Sequence, residues 1–482
     1  MSIHRNTIYN IIGAVIPLAV SIVTIPLYLK LIGEARYGIM AIAWLLLGYF
    51  GLFDLGLGQA TAQRIAALRN GGNEERAQTF WTALQMNVGI GFVGGLLIWP
   101  IGAYFFGSVF KVEDVLRPEM LAAVPWLILA VPMATLSGVL IGALQGTEQF
   151  GELNVISVFS TILFQLLPLT VGWFISVKLN IILPTALFAR LLSLVILFLR
   201  CRRHVIRGYS PCFVRSQASL LLRFGGWVTV TSFVGPIMVI LDRFIIGAVV
   251  GARSVTYYVV PFQLGEKTVM IPVALTSALF PRLASASIKE QEVLSHEALH
   301  VLLVVMTPIV VIGILFIEPF LKWWVGYDLA SQSALVGQLI LFGFWANGFA
   351  RVPYAQLQAR GRPDLVAKCH IAEVLPYLVL LYIGLKFYGL PGAAVAYSVR
   401  TFVDLFLLSS CSGLLKQLSY SIIIPLFVLL CSLILCVNIT AVTDRISFTL
   451  IIAGITIIWT WLNAPDSIRV IIVRFTSLLQ KH

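Results

Sequence analysis

Apolar residues run along this chain in blocks of twenty or more, separated by short polar stretches that hold most of its Lys, Arg, Asp and Glu. A block of that length covers roughly 30 Å of hydrocarbon at about 1.5 Å per helical residue. The pattern predicts fourteen membrane spans, at 8–32, 38–62, 79–106, 120–144, 153–177, 181–200, 224–250, 255–281, 297–317, 332–357, 366–388, 391–413, 420–439 and 446–463. The blocks stay apolar instead of alternating over about ten residues, so a β-barrel is excluded. The predicted fold class is therefore an all-α polytopic membrane protein.

Composition agrees. Of 482 residues, 59% are hydrophobic and 11% charged, against about 25% charged in soluble domains. The first apolar block continues to Ile32 with no small-residue cleavage site behind it, and reads as a retained span rather than a secretory leader. The six cysteines, at 201, 212, 369, 411, 431 and 436, lack CxxC or His-paired spacing, so neither a metal nor another cofactor is expected.

The loops set orientation. With the N-terminus inside, the inner segments hold 19 Lys and Arg and the outer ones 9. The positive-inside rule then places both termini in the cytoplasm. The net charge of +12 thus reflects topology and attraction to anionic lipid, and nucleic acid is not an expected partner. The richest basic stretch, RCRRHVIRGYSPCFVRSQASLLLRF at 200–224, falls between spans six and seven and reads as a linker between two lobes. Short patterns also recur at a spacing of about 210–218: GEARYG (33–38) with GARSVTY (251–257), LQGTEQF (144–150) with LQARGRP (357–363), and ARLLSLVILFL (189–199) with VRTFVDLFLL (399–408). Six spans per repeat give two copies in parallel orientation, the plan of many alternating-access carriers. The expected organisation is an N-terminal six-helix lobe at 1–205, a second at 206–415, and two added helices with a tail at 416–482.

Ten charged residues lie more than three residues from either end of a predicted span: Asp54, Arg190, Asp242, Arg243, Glu266, Lys267, Arg351, Glu373, Arg400 and Asp404. Each costs about 2.5–3.5 kcal/mol at a helix centre, so such groups face protein or water and are candidate functional residues. Arg400 and Asp404 are four apart and suited to direct pairing. Glu373 shares a face with His370, an arrangement as suited to packing as to proton transfer. Asp242–Arg243 and Glu266–Lys267 are sequence neighbours whose side chains diverge by about 100°, and each is expected to find a partner on another helix or in a solvated cavity. Arg190, Glu266, Lys267 and Arg400 sit nearest the midplane. The three cations, Arg190, Lys267 and Arg400, suggest a cavity for an anionic group, phosphate above all, since Arg presents a bidentate fork; interlobe salt bridges are the competing reading. Glu266, Asp242, Arg243, Asp404, Asp54 and Arg351 are candidates for ion coupling or gating. In GLFDLGLGQ (51–59), glycines surround Asp54. They loosen the helix and permit close packing, with Asp54 pairing with a base or capping backbone N–H groups, or else carrying a coupling proton.

The stretch IPLYLKLIGEARYGIMAIAWLLLGYFGLFDLGLGQATAQRIA (25–66), the LQGTEQF turn and LDRFIIGAVVGARSVTYYVV (241–260) resemble the polysaccharide (O-antigen type) flippases of the multidrug/oligosaccharidyl-lipid/polysaccharide exporter superfamily, over essentially the whole length. The resemblance implies translocation of an undecaprenyl-diphosphate-linked oligosaccharide across the bacterial cytoplasmic (inner) membrane by alternating access, often with proton or sodium coupling. It also implies membrane lipid as a partner, a polysaccharide polymerase and chain-length regulator as candidate partners, and a role for the last two helices in holding the lipid tail. A lipid II flippase or a drug antiporter of the same superfamily is an alternative. A polytopic glycosyltransferase or polymerase is disfavoured by short outer loops with no clustered carboxylates or nucleophile–base pair, so the expected protein is not an enzyme.

Overall fold

A computed structural model describes residues 3–68, 72–438 and 442–465. Arg69, Arg469, Arg474 and Lys481, counted above among the inner basic residues, lie outside them. The described residues contain no strand. The helices are α1 (Ile3–Tyr49), α2 (Leu57–Ala67), α3 (Asn73–Tyr104), α4 (Arg117–Gly146), α5 (Phe150–Phe174), α6 (Leu179–Cys201), α7 (Arg215–Val249), α8 (Ala252–Lys267), α9 (Met270–Ser285), α10 (Ile288–Trp324), α11 (Tyr327–Ala359), α12 (Pro363–Ser412), α13 (Leu415–Ser421), α14 (Ile423–Asn438) and α15 (Val442–Asn463). Among the described residues, nine helical segments are long and apolar enough to cross a membrane, and two shorter apolar helices follow.

The chain is a multi-pass helical membrane protein, as the apolar pattern predicts, but spans and helices do not correspond one to one. Spans 8–32 and 38–62 begin as one helix, α1, bent at Gly33 (φ 77°, ψ 168°). Spans 366–388 and 391–413 likewise form α12, folded back at Gly389 (φ 61°, ψ −143°). Both conformations are open to glycine at little cost and closed to other residues. Elsewhere a predicted span is broken. The second is interrupted by a 3₁₀ turn at Phe50–Asp54 before α2 begins, and the eighth divides into α8 and α9. The division of 153–200 is found as α5 and α6.

The chain divides into two compact units, Met1–Thr256 and Tyr257–His482. In the first, glycines set how closely α2 meets α4. Gly138, Gly142 and Gly146 recur every fourth residue of α4 and so share one face. A Cβ on Gly142 would run into the Gly58 carbonyl oxygen, and one on Gly146 would lie 2.7 Å from that of Ala62. Without a strong hydrophobic drive between helices in lipid, such close backbone packing supplies much of the attraction. At the turn after Gly33, Arg36 donates to both Glu119 oxygens at 3.0 Å and 3.0–3.2 Å, and the same carboxylate accepts the Leu179 N–H. At the other end, Arg64 pairs with Glu75 at 2.8 Å. Gln217, near the start of α7, accepts from Arg64 and Thr79 and donates to Glu75.

In the second unit α11 is the most deeply buried helix. Its Trp345 is fully buried and donates its indole N–H to Thr307 on α10 at 3.2 Å. The two arms of α12 run antiparallel past Gly389 and touch at Gly384 and Gly392, where neither position has space for a Cβ. α10 opens with a capping box, Ser287 with Glu290, and both α14 and α15 pack on it.

Candidate functional site

In the first unit, three helices each turn a polar stripe toward one cavity of about 440 Å³. From α5 come Phe150, Asn154, Ser157, Thr161 and Phe164, spaced three or four apart and hence on one face. From α4 come Ser137, Ile141 and Gln145, and from α6 Arg190, Ser193 and Leu197. Helices otherwise apolar on every side would gain nothing from these hydroxyls and amides in lipid. Ser193 and Thr161 satisfy their own protons on Ala189 and Ser157 carbonyls one turn back, which leaves their oxygens able to accept.

Arg190 lies halfway along α6. Its guanidinium carbon sits 5.1 Å from the centre of the Phe164 ring, and no Asp or Glu lines the cavity. Among the described residues it has no ion-pair partner. The guanidinium is a planar fork of N–H donors, the geometry suited to a two-oxygen anion such as phosphate. A cation held in a membrane-embedded cavity without a carboxylate is a candidate functional residue. Serine, threonine, asparagine and glutamine side chains and two aromatic rings, Phe150 and Phe164, line the same cavity.

The other charges fall into separate arrangements. Asp54 closes the 3₁₀ turn, and its two oxygens accept the N–H groups of Gly56 at 2.7 Å and Gly58 at 3.1 Å. Leu55 and Gly56 both adopt left-handed conformations there, so the chain re-enters helix at α2 with its first amides capped by a carboxylate. Asp242 and Arg243 were expected to diverge. Instead they pair with each other at 2.7 Å while almost fully buried. The long Arg side chain folds around the helix to reach its neighbour, which removes the cost of two separately buried charges.

Glu266 and Lys267 stand where α8 ends, at the interruption of the eighth span; Glu266 is exposed and Lys267 half-buried. Neither has an ion-pair partner among the described residues, and the same holds for half-buried Arg351 on α11. Arg400 and Asp404 do not pair along their own helix as their spacing suggested. Arg400 instead lies 3.7 Å from Glu373 and 5.5 Å from the Tyr377 ring, both on the opposite arm of α12. Asp404 lies 3.3 Å from His370. The fold at Gly389 makes these cross-arm partners closer than the along-helix one. Of the residues picked from sequence, only Arg190 enters the α4–α5–α6 cavity. The stripe of Asn154, Ser157 and Thr161 was missed, although its three- and four-residue spacing within GELNVISVFSTILF was a readable signal.

Bundled apolar helices, glycine-folded and interrupted spans, and a polar cavity holding Arg190 define a multi-pass helical membrane protein. The backbone is similar to that of lipid II flippase MurJ in an inward closed conformation, with a TM-score of 0.71 at 14% identity over 94% of this chain and 97% of the other. It is also similar to an inward-facing multidrug resistance MATE family transporter of the MOP superfamily, with a TM-score of 0.68 at 14% identity over 85% and 98%. Residues 3–287 match the model of the polysaccharide biosynthesis protein family. A curated relative from Shigella flexneri, named "Putative O-antigen transporter", is 31% identical over 412 residues, 85% of this chain and 97% of the relative. The chain belongs to this polysaccharide biosynthesis family.

Proposed function

We propose that the protein carries undecaprenyl-diphosphate-linked oligosaccharide repeat units across the bacterial cytoplasmic membrane, by alternating access, for O-antigen or exopolysaccharide synthesis. The observation that carries this reading is Arg190. It is a cation over the Phe164 ring in a cavity with no carboxylate among its lining residues and with hydroxyls and amides in its walls. Diphosphate takes the guanidinium edge, and the first sugars meet Asn154, Gln145, Ser157 and Thr161. Lys267 and Arg400 are proposed as the second unit's cations for an anionic substrate group. The likeness to a named O-antigen transporter over most of both chains supports this substrate class over lipid II or a cationic drug. A site for a cationic drug calls for unpaired acids, and this cavity has none among its lining residues.

Further parts belong to the same proposal. The repeat makes 1–205 and 206–415 the two moving lobes, with 416–482 as an addition whose α14 and α15 hold the lipid tail. Both termini face the cytoplasm, on the side of the basic loops. The protein moves its substrate without changing it chemically, and it hands the glycan to a polymerase with its chain-length regulator.

The test is glycan export in cells carrying Arg190→Ala or Arg190→Lys, with membrane level measured alongside. Arg190→Ala is expected to abolish surface glycan at normal protein level. Arg190→Lys should retain partial export, because a point charge replaces a planar fork. Full export by the Ala variant would remove Arg190 from the substrate site.

A further inference from the structure

Arg190 lies over the Phe164 ring, and Phe164 sits where its own helix is weakened. Pro168 follows one turn later in α5. It offers no N–H to the Phe164 carbonyl, so the backbone ladder of α5 is interrupted there. Contacts from the first arm of α1, before Gly33, brace this place. Thr24 donates its hydroxyl to Gln165 Oε1 at 3.3 Å. Tyr28, fully buried, donates its hydroxyl to the Gln165 carbonyl at 2.6 Å.

The second arm of α1, after Gly33, supplies Trp44. Its ring centre lies 5.7 Å from that of Phe164 and 5.2 Å from that of Tyr28, the latter pair edge-on at 77°. Trp44 thus joins the first arm of α1 to the ring that Arg190 lies over. Among the described residues, its buried indole N–H finds no hydrogen-bond acceptor. A buried donor without a partner costs stability, and a phenylalanine at this position would carry no such cost. No hydrogen bond of the indole N–H orients the ring. Its neighbouring rings do so, together with the apolar cluster of Leu47, Val131 and Leu187 against which both Trp44 and Phe164 pack. Leu187 stands one turn before Arg190 on α6, so one cluster reaches both the ring and the base of the cation.

We propose that Trp44 is a positioning residue for the anion site: it holds the Phe164 ring beneath the Arg190 guanidinium and, through Tyr28, ties that site to the fold of α1 at Gly33. The proposal rests on the reading of Arg190 as the cation that meets diphosphate. Trp44 is not among the residues lining the cavity, so it acts on the ligand through Phe164. Its effect depends on the shape of the cation. A guanidinium must be held in one plane to present its fork, whereas a lysine ammonium is a point charge with rotatable donors. Losing Trp44 therefore weakens anion binding while residue 190 is arginine and matters little once it is lysine.

The experiment is a double-mutant cycle. Inorganic diphosphate is titrated calorimetrically into the purified full-length protein in lipid nanodiscs, with thermal unfolding of each variant measured alongside. Trp44→Leu should bind about five-fold more weakly than wild type, the scale of one aromatic pair. Trp44→Phe keeps a ring against Phe164 and should stay within about two-fold of wild type. In an Arg190→Lys background, Trp44→Leu should cost less than about two-fold. Equal losses in the two backgrounds would reduce Trp44 to general packing and overturn the proposal. A Trp44→Leu variant that binds like wild type, while Arg190→Ala abolishes binding, refutes it alone. Absence of wild-type binding, or binding that survives Arg190→Ala intact, removes the reading of Arg190 and this proposal with it. Should Trp44→Leu fail to fold, the emission of Trp44, taken as the difference between wild type and Trp44→Phe, decides the matter. Diphosphate should shift that emission, and an emission that does not move overturns the proposal.

Discussion

Removing the Asp54 carboxylate tests whether this acid is structural. Its oxygens hold the Gly56 and Gly58 N–H groups at 2.7 Å and 3.1 Å, at a half-buried place inside a membrane span. In Asp54→Ala both donors lose their acceptor. A buried donor left without one costs about 1–3 kcal/mol, and partial access by water moderates the second loss, giving about 2–4 kcal/mol in all. Asp54→Asn keeps one acceptor oxygen and loses the favourable charge at the helix N-terminus, about 0.3–1 kcal/mol, so about half the Ala effect is expected. The assay pairs thermal unfolding of purified protein in a single detergent with surface-glycan export in cells. Both should fall in the order wild type, Asn, Ala, with export tracking stability. An Asn variant as stable as wild type that exports nothing would refute the capping argument and return Asp54 to the role of proton carrier. An Ala variant with undiminished stability would show that the two hydrogen bonds contribute nothing.

Two other expectations follow from packing and capping. Gly142→Val places carbon atoms against the Gly58 carbonyl and should destabilise the first unit by about 1–3 kcal/mol through overpacking, lowering membrane level; Gly151→Ala, with open space around it, is the control and should leave both unchanged. The Ser287 backbone and hydroxyl hydrogen bonds hold the Glu290 carboxyl below its ordinary value, so its ionised form stabilises the fold above the carboxylate range, and this contribution is lost as pH falls through the lowered value. The melting difference between wild type and Glu290→Gln should therefore be present at pH 7 and vanish in acid, and a difference that is constant with pH would contradict the capping box.

Some of the site was readable in sequence and some was not. Arg190 was visible as a lone cation in the middle of an apolar block, because its cost in lipid makes it conspicuous in any reading. Asp54 was visible for the same reason, and its capping role was foreshadowed by the glycines around it. The Asn154, Ser157 and Thr161 stripe has the right helical spacing, but uncharged polar residues cost less in a bilayer and drew no notice beside full charges. The partners of Arg400 were not readable. Spacing of four argued for Asp404, while the actual contact, Glu373, is twenty-seven residues earlier in the chain.

What the sequence determined by itself was the class of structure, because the bilayer imposes a length and a polarity on every segment independently of its neighbours. It also carried the family, through stretches at 25–66 and 241–260 whose order and composition persist along the chain. Tertiary structure decided who pairs with whom. Glycine folds at Gly33 and Gly389 joined spans that hydropathy had separated, a 3₁₀ turn divided one that hydropathy had left whole, and the flexibility of Arg243 let neighbours pair that helix geometry had set apart. Ion pairs in a membrane form at distances of a few ångströms, and a distance of that size between segments remote in sequence exists only once the helices have packed.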